Sequence, residues 1–534
     1  MIETIFQGTI TPASQRAYGY FPFYVPPDTV RIEASYEYEG RDADTVLDIG
    51  LFGPGGADFI SGDFRGWSGS FRREFFLMED RATPGYLPGP LPAGQWQIIL
   101  GLQEMKRPAS AFRVTVRVYT QEPAGGWPDL APADVHERVA PAAAQLLASL
   151  RASHINPHPR WYRGDLHLHS VHSDGENLIP ELTEAARARG LDFLTLTDHN
   201  TVAQNPHLPA ASTPEVLLIP GEEITTYYGH ANVWGLERWL DFRVRTPADA
   251  EALIAEAHRR GLLFSINHPK DEGPDWDWKT VPGFDCLEVW QAPWWVSNYQ
   301  ALAWWDELLR QGRRVVGVGG SDVHRVRTPE RIYPHELGNP TTWVWATSLT
   351  PAAILDGIRR GHVFLTPEPT GVEIYFTART AAGEFMMGDE VSVTPGETVH
   401  LAGQVLGAEG CILRLISAAG VVQELDIGTS AFAWETGVTA TRDTYYRVEA
   451  MEPPELPLTE EPAALMIRAL TNPIYVRLKE QKLRRNYSGS VDGNLCSSAV
   501  CDRRARSGGK QLFPSTEAGN CLRPVKENRE EVHL

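Results

Sequence analysis

Between Trp161 and about Glu368, short apolar runs alternate with amphipathic stretches, and run after run closes on a histidine, an aspartate or a glutamate. The alternation predicts parallel strands joined by crossover helices, an α/β arrangement. Strands are expected at 161–169, 192–200, 216–225, 262–269, 286–291, 315–324, 341–346 and 363–366, with helices near 178–189, 248–260, 297–311 and 351–360. Gly190 and Gly261 stand where two of these helices should stop.

The first strand leads into Asp165-Leu-His-Leu-His-Ser-Val-His-Ser-Asp-Gly175. Side chains two apart in a strand share a face, so His167 and His169 project together. Paired imidazoles pack poorly in a core but suit a borderline metal such as zinc, iron or manganese. Later runs end on Asp198 and His199, on Glu223, on His268, and on Asp322 and His324, with His230 following Glu223 closely. In parallel α/β folds the carboxyl ends of strands converge on one site, which would gather these groups into a multinuclear metal centre.

At 534 residues the chain exceeds a single core. Residues 1–125 alternate apolar and polar positions between Gly/Pro turns, as do residues 371–476, and both are read as β-sandwich-like domains. For 371–476 an antiparallel extension of the central sheet is the other reading. Residues 126–160 form a linker containing a helix near 134–153, and 477–534 are polar, basic at first and poor in aliphatics, the composition of a disordered tail. A formal net charge of -19 argues against a nucleic-acid partner, which would need clustered Lys and Arg. The absence of a long apolar run or a secretory leader, with five cysteines in no pairing pattern, predicts a cytoplasmic protein without membrane contact.

The set HxHSxxSDG, Thr-Asp-His, Gly-x-Glu, Gly-His, Asn-His-Pro and Ser-Asp-x-His resembles the PHP (polymerase and histidinol phosphatase) superfamily. Pro-Gly-Glu-Glu-Ile-Thr-Thr followed by Gly-His-Ala-Asn is most similar to its CehA/McbA-type metallohydrolases. The resemblance covers about 161–370 and implies a distorted (β/α)7-type barrel with two or three divalent ions, Zn, Mn or Fe. It implies one metal position from His167, His169, Glu223 and Asp322. Glu223 would bridge to a second, completed by His230 and His268, and Asp174, His199 and His324 would hold a third. Asp198 is expected to support a neighbouring histidine, and the Gly-x-Glu spacing selects Glu223 over Glu222. His172, off these positions, is read as a polar surface residue.

The chemistry expected is attack on a small phosphate ester by a metal-bridging hydroxide, with Asp322, His324 and His230 as proton carriers. Lys270 and Arg325 are candidates for gripping an anionic group. Tyr227, Tyr228, Trp290, Trp294 and Trp295 could wall a pocket for an aryl group, which would favour a carboxyl or carbamate ester instead. A non-catalytic metal-binding module is the alternative outside enzymes.

Overall fold

The computed structural model describes residues 1–59, 63–139, 156–271, 273–326, 335–453 and 465–479, and the backbone of 531–533. Its centre is a mixed α/β region. Arg160–Leu168 lies parallel to Phe193–Leu196, which lies parallel to Leu217–Thr226. The next strand, Gly229–Trp234, turns back antiparallel, and Leu263–Ile266 pairs antiparallel with it. Cys286–Gln291 and Val316–Gly320 then continue in parallel. The reversal departs from the uniformly parallel expectation. Its cause is a tight turn at Tyr227-Tyr228, closed by Gly229 at φ +118°, a conformation a side chain resists.

The helices form where expected. Ile179–Arg189 ends on Gly190 at φ +77°. Pro247–Arg259 starts from a reciprocal cap in which the Thr246 hydroxyl accepts from Asp249 N–H and the Asp249 carboxylate accepts from Thr246 N–H. Asn298–Arg310 and Pro351–Arg360 complete the set.

Among the described residues no ladder joins the first strand to Val316–Gly320, so closure into a barrel is not seen there. A single bridge, Leu168 to Val323, links Arg160–Leu168 to the segment just beyond that last parallel strand. Asp322 N–H donates to His167 O and His169 N–H to Val323 O there, which draws the two strand ends together. On the same edge, opposite Phe193–Leu196, the earlier part of Arg160–Leu168 pairs antiparallel with Thr341–Ala346, and the sheet runs on through Val363–Thr366 into Ile467–Thr471, Thr444–Met451 and Ile412–Ser417. Part of the C-terminal β region therefore extends the central sheet. A separate antiparallel sheet of four strands, centred on Glu373–Thr380 and Thr398–Leu406, packs against it around Phe376, Leu401, Leu415 and Val448.

The N-terminal region has two sheets sharing one core, with Ile32, Val114 and Val116 from one and Phe23, Ile98 and Leu100 from the other. Aromatic rings join it to the centre: Phe64 meets Trp239 edge-on at 5.0 Å, and Trp67 meets Phe242 at 4.8 Å. Most of the expected linker helix and of the C-terminal tail, with Cys496, Cys501 and Cys521, lies outside the described residues. Of the tail, 477–479 continue Ile474–Leu478 and its end, while Glu531–His533 pairs parallel with Ile2–Ile10. Among the described residues no helix is long and apolar enough to cross a membrane.

Candidate metal centre

The centre forms where the strands end. In Arg160–Leu168, Leu166 and Leu168 enter hydrophobic cores while His167 takes the other face. Asp165, fully buried, accepts hydrogen bonds from Ser321 N–H at 2.9 Å and Gly338 N–H at 2.8 Å. It thereby pins the segment bearing Asp322 beside His167. Gly320 is required for the same approach, since a Cβ there would lie 2.3 Å from that of His167. His268 and Asp322 adopt φ +27° and +53°, values uncommon for non-glycine residues.

Glu223 lies at the middle. Its Oε1 is 3.4 Å from His167 Nε2, 3.1 Å from His230 Nδ1 and 3.3 Å from His268 Nε2. Its Oε2 is 2.7 Å from His199 Nδ1 and 3.5 Å from His169 Nε2. The antiparallel hairpin creates the His230 contact, because Thr225 pairs with His230 and so sets that ring beside Glu223. Asp322 Oδ1 approaches His169 Nε2 at 2.9 Å and His167 Nε2 at 3.3 Å. At the outer edge Asp174 Oδ1 is 3.3 Å from His324 Nε2 and 3.6 Å from His199 Nε2. All nine residues expected as ligands thus meet in one place.

Several nitrogens and oxygens in this cluster are poised for a cation. Glu288 Oε1 sits 2.9 Å from His167 Nδ1, and a carboxylate can only accept, so Nδ1 carries the proton and Nε2 offers a lone pair to the centre. His167 Nε2, Asp174 Oδ1 and Glu223 Oε2 are buried and form no hydrogen bond despite their close neighbours. Left without a cation, that would be costly. Burial would raise Glu223, but His167, His199 and His230 outweigh it and hold the carboxyl well below its ordinary range. Burial likewise opposes ionisation of Asp322, and His167 and His169 overcome it. His169 is pushed down to about 3 by burial and by His324 and His199. The donors fit divalent metal ions.

Other expectations are corrected. Lys270 is buried, and its amine donates to Gln291 O, Val296 O and Asn298 Oδ1 at 2.7–3.1 Å, so it braces a loop and does not face a substrate. Arg325 pairs with Glu176. Asp198 does not support a histidine; it accepts from Ser170 N–H, Ser170 Oγ and Ser173 Oγ, holding the loop after His169. Thr225 Oγ1 stands 2.6 Å from His199 Nδ1 instead. His172 is buried among other histidines and is no surface residue. Trp290 and Trp294 are core residues, and Tyr228 stacks on Trp278. Glu222 points away, accepting from Leu240 N–H, and Glu223 alone of the pair reaches the histidines.

Sequence reasoning passed over Glu288, Asn267 and Gln291. Asn267 Nδ2 donates to Glu223 Oε1 and Gln291 Nε2 to Asp322 Oδ2, both at 2.9 Å. A glutamate within the apolar run Cys-Leu-Glu-Val-Trp was the available signal, since a buried charge needs a partner.

No curated protein matches the chain. Among solved structures, a two-domain protein from Bacteroides vulgatus described as containing a predicted PHP-like metal-dependent phosphoesterase is similar at 17% identity and a TM-score of 0.33, over 59% of this chain and 95% of that one. An amidohydrolase from Chromobacterium violaceum is similar at 17% identity and a TM-score of 0.24, over 33% of this chain and 93% of the other. The family model of the PHP domain matches residues 165–265, the stretch that supplies His167, His169, Asp174, His199, Glu223 and His230. Over residues 165–265 the chain is therefore similar to the PHP domain.

Proposed function

We propose that the protein is a metal-dependent hydrolase of small phosphate esters. The observation that carries the reading is Glu223, whose two carboxylate oxygens face separate groups of imidazoles within 3.5 Å, the disposition of a carboxylate shared between two cations. Asp174, His199 and His324 offer donors for a third position. Bound divalent ions would supply Lewis acidity and positive charge for an ester oxygen.

The chain's own residues orient and protect that chemistry. Asn267 and Gln291 steer the oxygens of Glu223 and Asp322, and Glu288 fixes the tautomer of His167. His324 and Asp174 are the most exposed members of the cluster and stand where an ester would arrive. Asp174 Oδ1, 3.3 Å from His324 Nε2, orients that imidazole at the outer edge of the cluster. Lys270, whose amine is held by Gln291 O, Val296 O and Asn298 Oδ1, is not placed to grip the anionic group.

The test is metal analysis by mass spectrometry joined to hydrolysis of p-nitrophenyl phosphate, its diester and 1-naphthyl N-methylcarbamate. Phosphate-ester turnover that a chelator removes and manganese or zinc restores, and that Glu223→Gln lowers by more than about 100-fold, is expected. Turnover of the carbamate alone would replace the phosphoesterase reading, and full activity in Glu223→Gln would end the metallohydrolase one.

A further inference from the structure

Away from Glu223 lies a second group of imidazoles. His136 belongs to the two-residue strand His136–Glu137, which pairs with Arg81–Ala82 in the N-terminal region. His172 sits in the loop between His169 and Asp174, and His207 ends the short helical turn Asn205–His207. His136 Nδ1 is 3.0 Å from His172 Nε2 and 2.8 Å from His207 Nε2. His136 and His172 are buried, and His207 is half-buried.

The hydrogen-bond pattern shows which nitrogens carry lone pairs. Ser170 Oγ donates its single proton to the acceptor-only carboxylate of Asp198 at 2.8 Å. It must therefore accept from His172 Nδ1, 3.1 Å away, which leaves Nε2 of His172 unprotonated and directed at His136. His136 Nδ1 has one in-plane position but two ring nitrogens within 3.0 Å. If it carries a proton, that proton is shared between two acceptors; if it does not, it meets the His172 lone pair directly. Either arrangement leaves a poor contact in a buried place, where an unmet polar atom is costly. A cation accepting all three lone pairs removes the conflict.

We propose that His136, His172 and His207 form a further metal site, separate from the Glu223 centre, that takes one borderline divalent ion of the zinc class. Neutral imidazole is the preferred donor for such an ion. Nitrogens bound to zinc at about 2.0–2.1 Å in tetrahedral array lie about 3.3 Å apart, so the rings need to separate only by a few tenths of an ångström. Burial holds His136 down at about 3, so its ring is neutral and needs to lose no proton to bind. Arg72, a positive group that acts on His172, donates through its guanidinium to Val171 O and is itself paired with Asp134. The ion would clamp the N-terminal β region to the loop that carries Asp174 and to the turn following His199. The site does not depend on the hydrolase reading.

The test counts zinc per chain in the full-length protein after zinc loading and desalting. The wild type, His207→Ala, the pair His167→Ala/His169→Ala, and the triple variant combining them are compared, with far-UV circular dichroism on each. His207→Ala is expected to bind about one zinc fewer than the wild type. The double variant should keep an ion that the triple variant loses. A folded His207→Ala with the wild-type zinc count overturns the proposal, as does a triple variant that holds as much zinc as the double. Should His207→Ala not fold, His207→Gln, which keeps bulk and polarity at this half-buried position, is read by the same criterion.

Discussion

Asp48 shows how one buried carboxyl couples two parts of the chain. It comes from the N-terminal strand Thr45–Phe52, and the Tyr227 hydroxyl at the hairpin turn donates to it at 2.7 Å. Burial, offset only in part by Tyr227 and His199, pushes Asp48 up to about 7. An unfolded aspartate titrates near ~3.9, so the folded state holds this proton more tightly. The resulting stabilisation is complete below the unfolded value and is lost as pH rises through about 7. Melting temperatures of wild type and Asp48→Asn between pH 4 and pH 8 should therefore diverge, the wild type falling relative to the variant as pH rises; parallel curves would refute this. Glu288 acts on the same scale. Glu288→Gln should weaken metal affinity or activity about 10–100-fold while leaving the fold intact, because it disturbs the tautomer of His167 and not the ligand count. Metal titration followed by circular dichroism separates the two effects.

Among the elements, the hairpin Leu217–Thr226/Gly229–Trp234 and the loop after Leu263–Ile266 do most to build the centre. The hairpin brings His230 back onto Glu223, and the loop bends at His268, whose N–H donates to Glu288 Oε2 at 2.8 Å. Lys270 holds that loop from inside. Lys270→Met keeps the length of the side chain but strands buried acceptors, and a loss of about 1–3 kcal/mol is expected in denaturant unfolding. If Lys270 gripped substrate, the variant would raise KM with stability unchanged. The element-level reading of the sequence succeeded for the helices, whose caps lie within a few residues of chain. It failed for Lys270, His172 and Asp198, whose partners lie on other strands or loops and leave no local trace.

For the whole molecule, the central sheet does not stop at the α/β region. It continues into the C-terminal strands, and Arg447 on Thr444–Met451 secures the junction. Its guanidinium bonds Asp306 of Asn298–Arg310 through Nε at 2.9 Å and Nη2 at 2.8 Å, and Glu449 at 2.7 Å, while almost wholly buried. Arg447→Met takes the bidentate partner from half-buried Asp306 and leaves buried Glu449 with Arg414 alone, and should cost about 3–5 kcal/mol. Replacing Asp306 and Glu449 by apolar residues as well should recover much of that loss. Thermal unfolding of the single and triple variants checks this, and equal melting temperatures for the single variant and the wild type would contradict it.

Local pattern was enough for much of this protein. The period of the apolar positions determined which segments became strands and helices, and the residue types at the ends of the apolar runs marked the donors of the centre, because both depend on neighbours in the chain. Tertiary structure alone decided the antiparallel turn of Gly229–Trp234, the placing of Thr341–Ala346 beside the first strand, and the merging of C-terminal strands with the central sheet. It also selected which buried polar groups serve the centre: Glu288 and Gln291 do, and Lys270 does not. Pairing between strands and the partner of a buried charge are contacts between distant segments, and a linear pattern does not encode which distant segment will arrive.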